Sequence, residues 1–203
     1  MQSAACAEFN VTDSIITLMS AQHGSAAPLP QAEHLRAARE LIDAAAGHLA
    51  IDVLRRPRDG RWSIAEILEH LTLAFTVNAA ALEKALAAGA PRARPPLLKQ
   101  KLGRFLVVDL GYFPKAEAPA MVVPSGTVPE ERSVSALQDA LTLLDAVLTR
   151  VAARFGLDTL VANHPYFGGM SVRQWRKFHW RHTVHHMRQV RAHSSGGACV
   201  PPP

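Results

Sequence analysis

Apolar residues recur at helical spacing in four stretches of the chain, and polar residues fill the positions between them. The first stretch covers residues 30–50, with Leu35, Ala38, Leu41, Ile42, Ala45 and Leu49 on one side. The second opens at Ser63 and runs to Ala88, where Gly89 and Pro91 stop it. Ser63 and Glu66 form an S-x-x-E capping box at its start. The third runs from Ser133 to Phe155 and carries Val134, Leu137, Leu141, Leu144, Val147, Leu148 and Val151. The fourth opens on a second capping pair, Ser171 and Gln174, and continues past Arg191 without Pro, Gly, Asp or Glu.

Between the second and third stretches, residues 89–132 are punctuated by Pro91, Pro95, Pro96, Pro114, Pro119, Pro124 and Pro129. Within them, residues 101–112 predict a short helix lying across the body. Residues 163–170, between the last two helices, read as a loop, and no strand pattern stands out. The expected fold is therefore all-α, a four-helix bundle with a long Pro-rich connection between helices 2 and 3. Short links make helices 1 and 2, and 3 and 4, antiparallel neighbours, while the long connection permits an up-down-down-up order. The expected organisation is an N-terminal extension over 1–28, with a short helix over 11–19, a bundle over 29–193 and a frayed tail over 194–203.

Composition adds little to the fold and something to the setting. The 203 residues suffice for one domain, and their apolar share, rich in Ala and Leu and poor in aromatics, favours helix. The net charge of +5 and pI near 9.7 sit largely in short runs such as Arg55, Arg56 and Arg58, Arg92 and Arg94, and the outer side of the last helix. Solvated faces are the default reading of such runs. A non-enzymatic module that binds nucleic acid or another anionic ligand is an alternative reading, as is a bundle with a purely structural metal. Nucleic acid is disfavoured because no exposed aromatics interleave with the cations. Cys6 and Cys199 stand apart from any CxxC and read as free thiols. With no run of 18 apolar residues and no basic n-region, the expectation is a cytoplasmic chain without a membrane partner.

The chemistry resides in the histidines. On the fourth helix His182 and His186 are i and i+4, stacked on one side with Trp175, Phe178, His179 and Gln189. Arg173, Lys177, Arg181, Arg188 and Arg191 point the other way. On the second helix His70 shares a side with Ile67, Leu73, Ala74, Val77 and Ala81. Three inward imidazoles on two helices form a candidate ligand set for a divalent transition metal, Zn²⁺, Ni²⁺ or Fe²⁺, with an open position left over. His179, His185 and Gln189 flank the set as candidate supporting groups, Arg188 lies at its polar edge, and Trp62 and Tyr166 precede the two histidine helices as candidate pocket lining. The pattern weighs against a ferritin-like di-iron site: Glu66 and His70 are i, i+4, and the last helix holds no acidic residue. Thr183 after His182 excludes HExxH.

Trp62-Ser63 followed by Glu69-His70-Leu71, and His182-x-x-x-His186 followed by Arg188-Gln189, resemble the DinB-like superfamily, also described as YfiT-like metal-dependent hydrolases. The His164-Pro-Tyr-Phe-Gly loop and the string HTVHHMRQ look like a subgroup of uncharacterised function. The resemblance implies an up-down-down-up four-helix bundle whose metal is held at the positions of His70, His182 and His186. Members of known activity are mostly thiol-dependent transferases or isomerases, and several are homodimers. The resemblance thus implies a metal-dependent small-molecule enzyme, a thiol-dependent transferase or a hydrolase, with a low-molecular-weight thiol as a candidate co-reactant.

Overall fold

The computed structural model describes residues 33–57, 60–114 and 117–195. The expected 11–19 helix, both cysteines and all but the first two residues of the tail lie outside them. Four long helices dominate: α1 (Glu33–Ala46), α3 (Ile64–Ala88), α5 (Ser133–Phe155) and α6 (Val172–Ser194), with a one-turn helix α2 (Ile51–Leu54) after the first. The 30–50 expectation was too long at its end because Gly47 and His48 form a turn, from which the chain enters α2.

The ends follow local chemistry. Ser63 Oγ accepts from the Glu66 amide while the Glu66 carboxylate accepts from the Ser63 amide, and Ser171 and Gln174 repeat the arrangement. Gly89, in left-handed conformation, ends α3. α3 packs along α5 and α1 along α6. Between them lies a core of Ile42, Leu68, Leu71, Phe75, Leu82, Leu137, Leu141, Leu144, Leu148 and Trp175. By length and composition alone α3 could cross a membrane, and among the described residues no other helix could. Its Leu68, Leu71, Phe75 and Leu82 are buried against the other helices, and Glu69, His70 and Asn78 are buried beside them.

Among the described residues the Pro-rich connection holds four short elements. α4 (Leu98–Arg104) continues into a wide π-type turn (Phe105–Asp109), and two single 3₁₀ turns follow at Ala120–Val122 and Glu130–Arg132. The helical element starts earlier than residue 101 because Leu97 and Gln100 cap it.

The expected loop before the last helix is partly a β-hairpin. β1 (Leu160–His164) pairs antiparallel with β2 (Gly168–Ser171), His164 opposite Gly168. Its strand signal is weak in sequence because β2 is Gly-Gly-Met-Ser and has no alternation to read. Tertiary contact supplies what the pattern lacks. The Arg92 amide donates to the Val161 carbonyl, and a Cβ on Gly169 would stand 2.3 Å from the Arg94 carbonyl oxygen, so only glycine lets the two chains meet there.

Candidate metal centre

His70 is in the second turn of α3, and His182 and His186 are in the third and fourth turns of α6. All three are buried, and one ring nitrogen of each lies within 4.8 Å of the other two. The atoms that meet are Nε2: His182 is 3.3 Å from His70 and 3.0 Å from His186. Two nitrogens bound at about 2.0–2.1 Å to one tetrahedral ion stand about 3.3 Å apart, so these two spacings are compatible with a shared ligand set.

The other ring nitrogens decide the tautomers. His70 Nδ1 lies 2.8 Å from the Val122 carbonyl oxygen, which can only accept, so Nδ1 carries the proton and Nε2 a lone pair. His186 Nδ1 donates to Gln189 Oε1 at 2.8 Å, and Gln189 Nε2 donates to His185 Nε2 at 3.2 Å. His186 therefore also turns a lone pair toward His182. A proton on His182 Nε2 could satisfy one of these lone pairs and would leave the other facing it. A proton on His182 Nδ1 leaves three lone pairs facing one another. A cation at the meeting point relieves all three. His182 Nδ1 is buried without a hydrogen-bond partner among the described residues. Stacking orients that ring instead, against Phe178 at 5.3 Å and Phe113 at 5.8 Å between centroids.

Burial pushes the pKa of His182 well below 6.5, aided by the neighbouring His186 and His70. His186 is lowered in the same way, by burial first and then by His70 and His185. Burial also lowers His70, against the opposing hydrogen bond to Val122. All three are thus neutral at neutral pH, the form in which imidazole ligates.

The flanking residues divide. Trp62 packs its ring 5.0 Å from His70. His185 is half-buried, stacks on Phe113 at 4.6 Å, and lies close enough to Arg188 for that exposed cation to depress its pKa, after burial. Gln189 bridges His185 and His186 as described. His179 stands aside from the three, stacked on Trp175 with its Nε2 3.5 Å from Asn78 Nδ2, and burial lowers its pKa to about 3. Tyr166 is exposed; its hydroxyl donates to the Glu117 carbonyl and its ring faces His164, so its contacts lie away from the histidine cluster.

Two contributors come from the Pro-rich connection, where the pattern along the chain gave no signal. One is Phe113. The other is the segment of residues 122–127, gripped by two adjacent residues of α3. His70 holds its Val122 carbonyl, while the buried carboxylate of Glu69 accepts from the amides of Ser125, Gly126 and Thr127 at 3.2, 2.9 and 3.1 Å. The hydroxyls of Ser125 and Thr127 add two more bonds to Glu69. Gly126 has a φ of +71°, which folds successive amides around the anion. Desolvation would raise the Glu69 pKa, but the bonds from Ser125, Thr127 and Gly126 outweigh it and hold the carboxyl below its usual value. The one available hint was an acidic residue directly before an inward histidine.

The model of the family described as "Protein of unknown function (DUF1569)" matches residues 34–193. No curated protein and no solved structure matches the chain. The match begins in α1, ends in α6 and takes in the three converging histidines, their Gln189 and Val122 partners and the Glu69 grip. On that span the chain belongs to the DUF1569 family.

Proposed function

We propose that the chain is a metal-dependent enzyme acting on a small molecule, a thiol-dependent transferase or a hydrolase, folded as a DinB-like four-helix bundle in up-down-down-up order. The observation that carries the reading is the meeting of three Nε2 atoms, 3.0 and 3.3 Å apart across His182, with two of their tautomers fixed by Val122 and Gln189. His70, His182 and His186 would hold a divalent Zn, Ni or Fe ion and leave one or two positions open; three imidazoles disfavour Mg²⁺ and Ca²⁺. Such an ion, when bound, supplies Lewis acidity that brings the pKa of a thiol or water toward neutrality.

The remaining work falls to the chain. Val122 and Gln189 keep the Nδ1 protons of His70 and His186 turned away from the meeting point, so both ligands stay lone-pair donors. Trp62, Phe113 and Phe178 cover the ring faces and keep water off them. His185 accepts from Gln189 through Nε2, which leaves its proton on Nδ1. Arg188, exposed beside His185, offers a cation to an anionic part of the substrate.

The test is turnover of a small electrophile by metal-loaded protein, with and without a low-molecular-weight thiol, in wild type and His182→Ala. The expected result is metal-dependent turnover that the thiol accelerates and the substitution abolishes. Turnover independent of thiol assigns hydrolysis. Absence of turnover in both conditions, or full activity in His182→Ala, contradicts the reading.

A further inference from the structure

α4 and the wide turn after it expose an apolar stripe. Leu98 is 83 % exposed, Leu97 61 %, Leu102 59 % and Phe105 50 %. Leu98, Leu102 and Phe105 are at i, i+4 and i+7, a stripe about 60° wide. The element cannot roll to bury it, because its other side is already anchored. Val107 and Val108 are buried, Gly103 lies against the Phe167 ring, and Arg104 donates to the Gly169 carbonyl at 2.9 Å.

Cations flank the stripe. Lys101 and Lys99, both exposed, lie about 60° to one side and about 100° to the other. Arg92 and Arg94 are also exposed, their amides tied to the Val161 carbonyl and to Asn163 Oδ1. From Gly89 to Val108 the sequence holds no acidic residue. Two-fold contact with a second copy through this face would bring these cations onto their own images, with no carboxylate in the segment to pair them. An anionic bilayer surface supplies both the missing charge and an apolar layer.

We propose that this face docks on an anionic lipid surface. Leu97, Leu98, Leu102 and Phe105 enter the boundary between headgroups and acyl chains. Lys99 and Lys101 extend their charges to the headgroups, and Arg92 and Arg94 add to the attraction. The element lies in the plane of the interface and spans nothing. The inference is independent of the metal. Phe113, a few residues beyond the stripe, covers the His182 and His185 rings, so the docking face and the wall of the histidine cluster are one continuous segment.

The experiment is co-sedimentation of the full chain with phosphatidylcholine vesicles and with equimolar phosphatidylcholine–phosphatidylglycerol vesicles, at low and at physiological salt. The anionic vesicles should retain the protein, the neutral ones should retain far less, and salt should weaken retention. Leu98→Asp/Leu102→Asp should abolish it, and Lys99→Ala/Lys101→Ala should reduce it about 30-fold. Both pairs are exposed, so circular dichroism should show unchanged helix, and the lysine pair decides alone if the aspartate pair does not fold. Wild-type protein that stays in solution, or an unaltered lysine variant, overturns the proposal. So does sedimentation velocity showing a dimer that the aspartate pair dissociates, since the face is then taken by a second copy.

Discussion

Gln189 is the most testable single side chain, because it acts only through others. Its Oε1 fixes the Nδ1 proton of His186, so Gln189→Leu frees the ring to turn and to change tautomer. The expected result is metal binding weakened about 10- to 100-fold with the fold intact, read by competition with a chromogenic chelator. Unchanged affinity would show that packing alone holds His186. His164 gives a second, independent prediction. Packed among Phe167, Trp175 and Phe178, its pKa is lowered by burial to about 4. Between pH 6.5 and 4 the unfolded chain binds a proton there that the folded chain refuses. Stability from this group is therefore full above pH 6.5, falls by about 3 kcal/mol as pH drops to 4, and levels off below. Urea midpoints measured against pH should show a shallower acid slope in His164→Phe than in wild type; parallel curves would contradict the assignment.

Elements differ in how much of themselves they announce. The ends of α3 and α6 are local events: a serine and the residue three positions on satisfy each other's amides, so both starts were readable in the chain. The pairing of His182 with His186 is equally local, and the inward side of His70 followed from its apolar neighbours. The hairpin and the 122–127 segment depend instead on distant partners. Glu69 meets Thr127 across 58 positions and Arg94 meets Asn163 across 69, and no periodicity records such contacts. The grip of Glu69 yields a prediction for the connection as a whole. Glu69→Gln places an amide against backbone donors and should cost about 2–4 kcal/mol, measured by urea unfolding. It should also weaken metal binding, because the freed segment carries the Val122 carbonyl that orients His70. Because its hydrogen bonds lower the Glu69 pKa, their stabilisation is present above the unfolded value of 4.5 and lost as pH falls through the folded one. Stability and metal affinity both unmoved in the variant would show that the segment is held by other contacts.

At the scale of the whole molecule, the core is large enough to fold without help from an ion. Leu68, Phe75, Leu141, Leu148 and Trp175 are among many fully buried apolar side chains, unlike the minimal core of a zinc finger. His70→Ala should accordingly remain helical and soluble, and saturating metal should stabilise the wild type by a few kcal/mol more than the variant. An unfolded or insoluble variant would make the histidine cluster structural and remove the support for an enzyme. The most direct test of the central claim is calorimetric titration of tag-free, chelator-stripped protein with Zn²⁺, and then Ni²⁺, in wild type, His70→Ala and His182→Ala. One saturable equivalent in the wild type, lost or strongly weakened in both variants, is the result expected. No binding in the wild type, or binding that survives both substitutions, contradicts a metal centre at His70, His182 and His186.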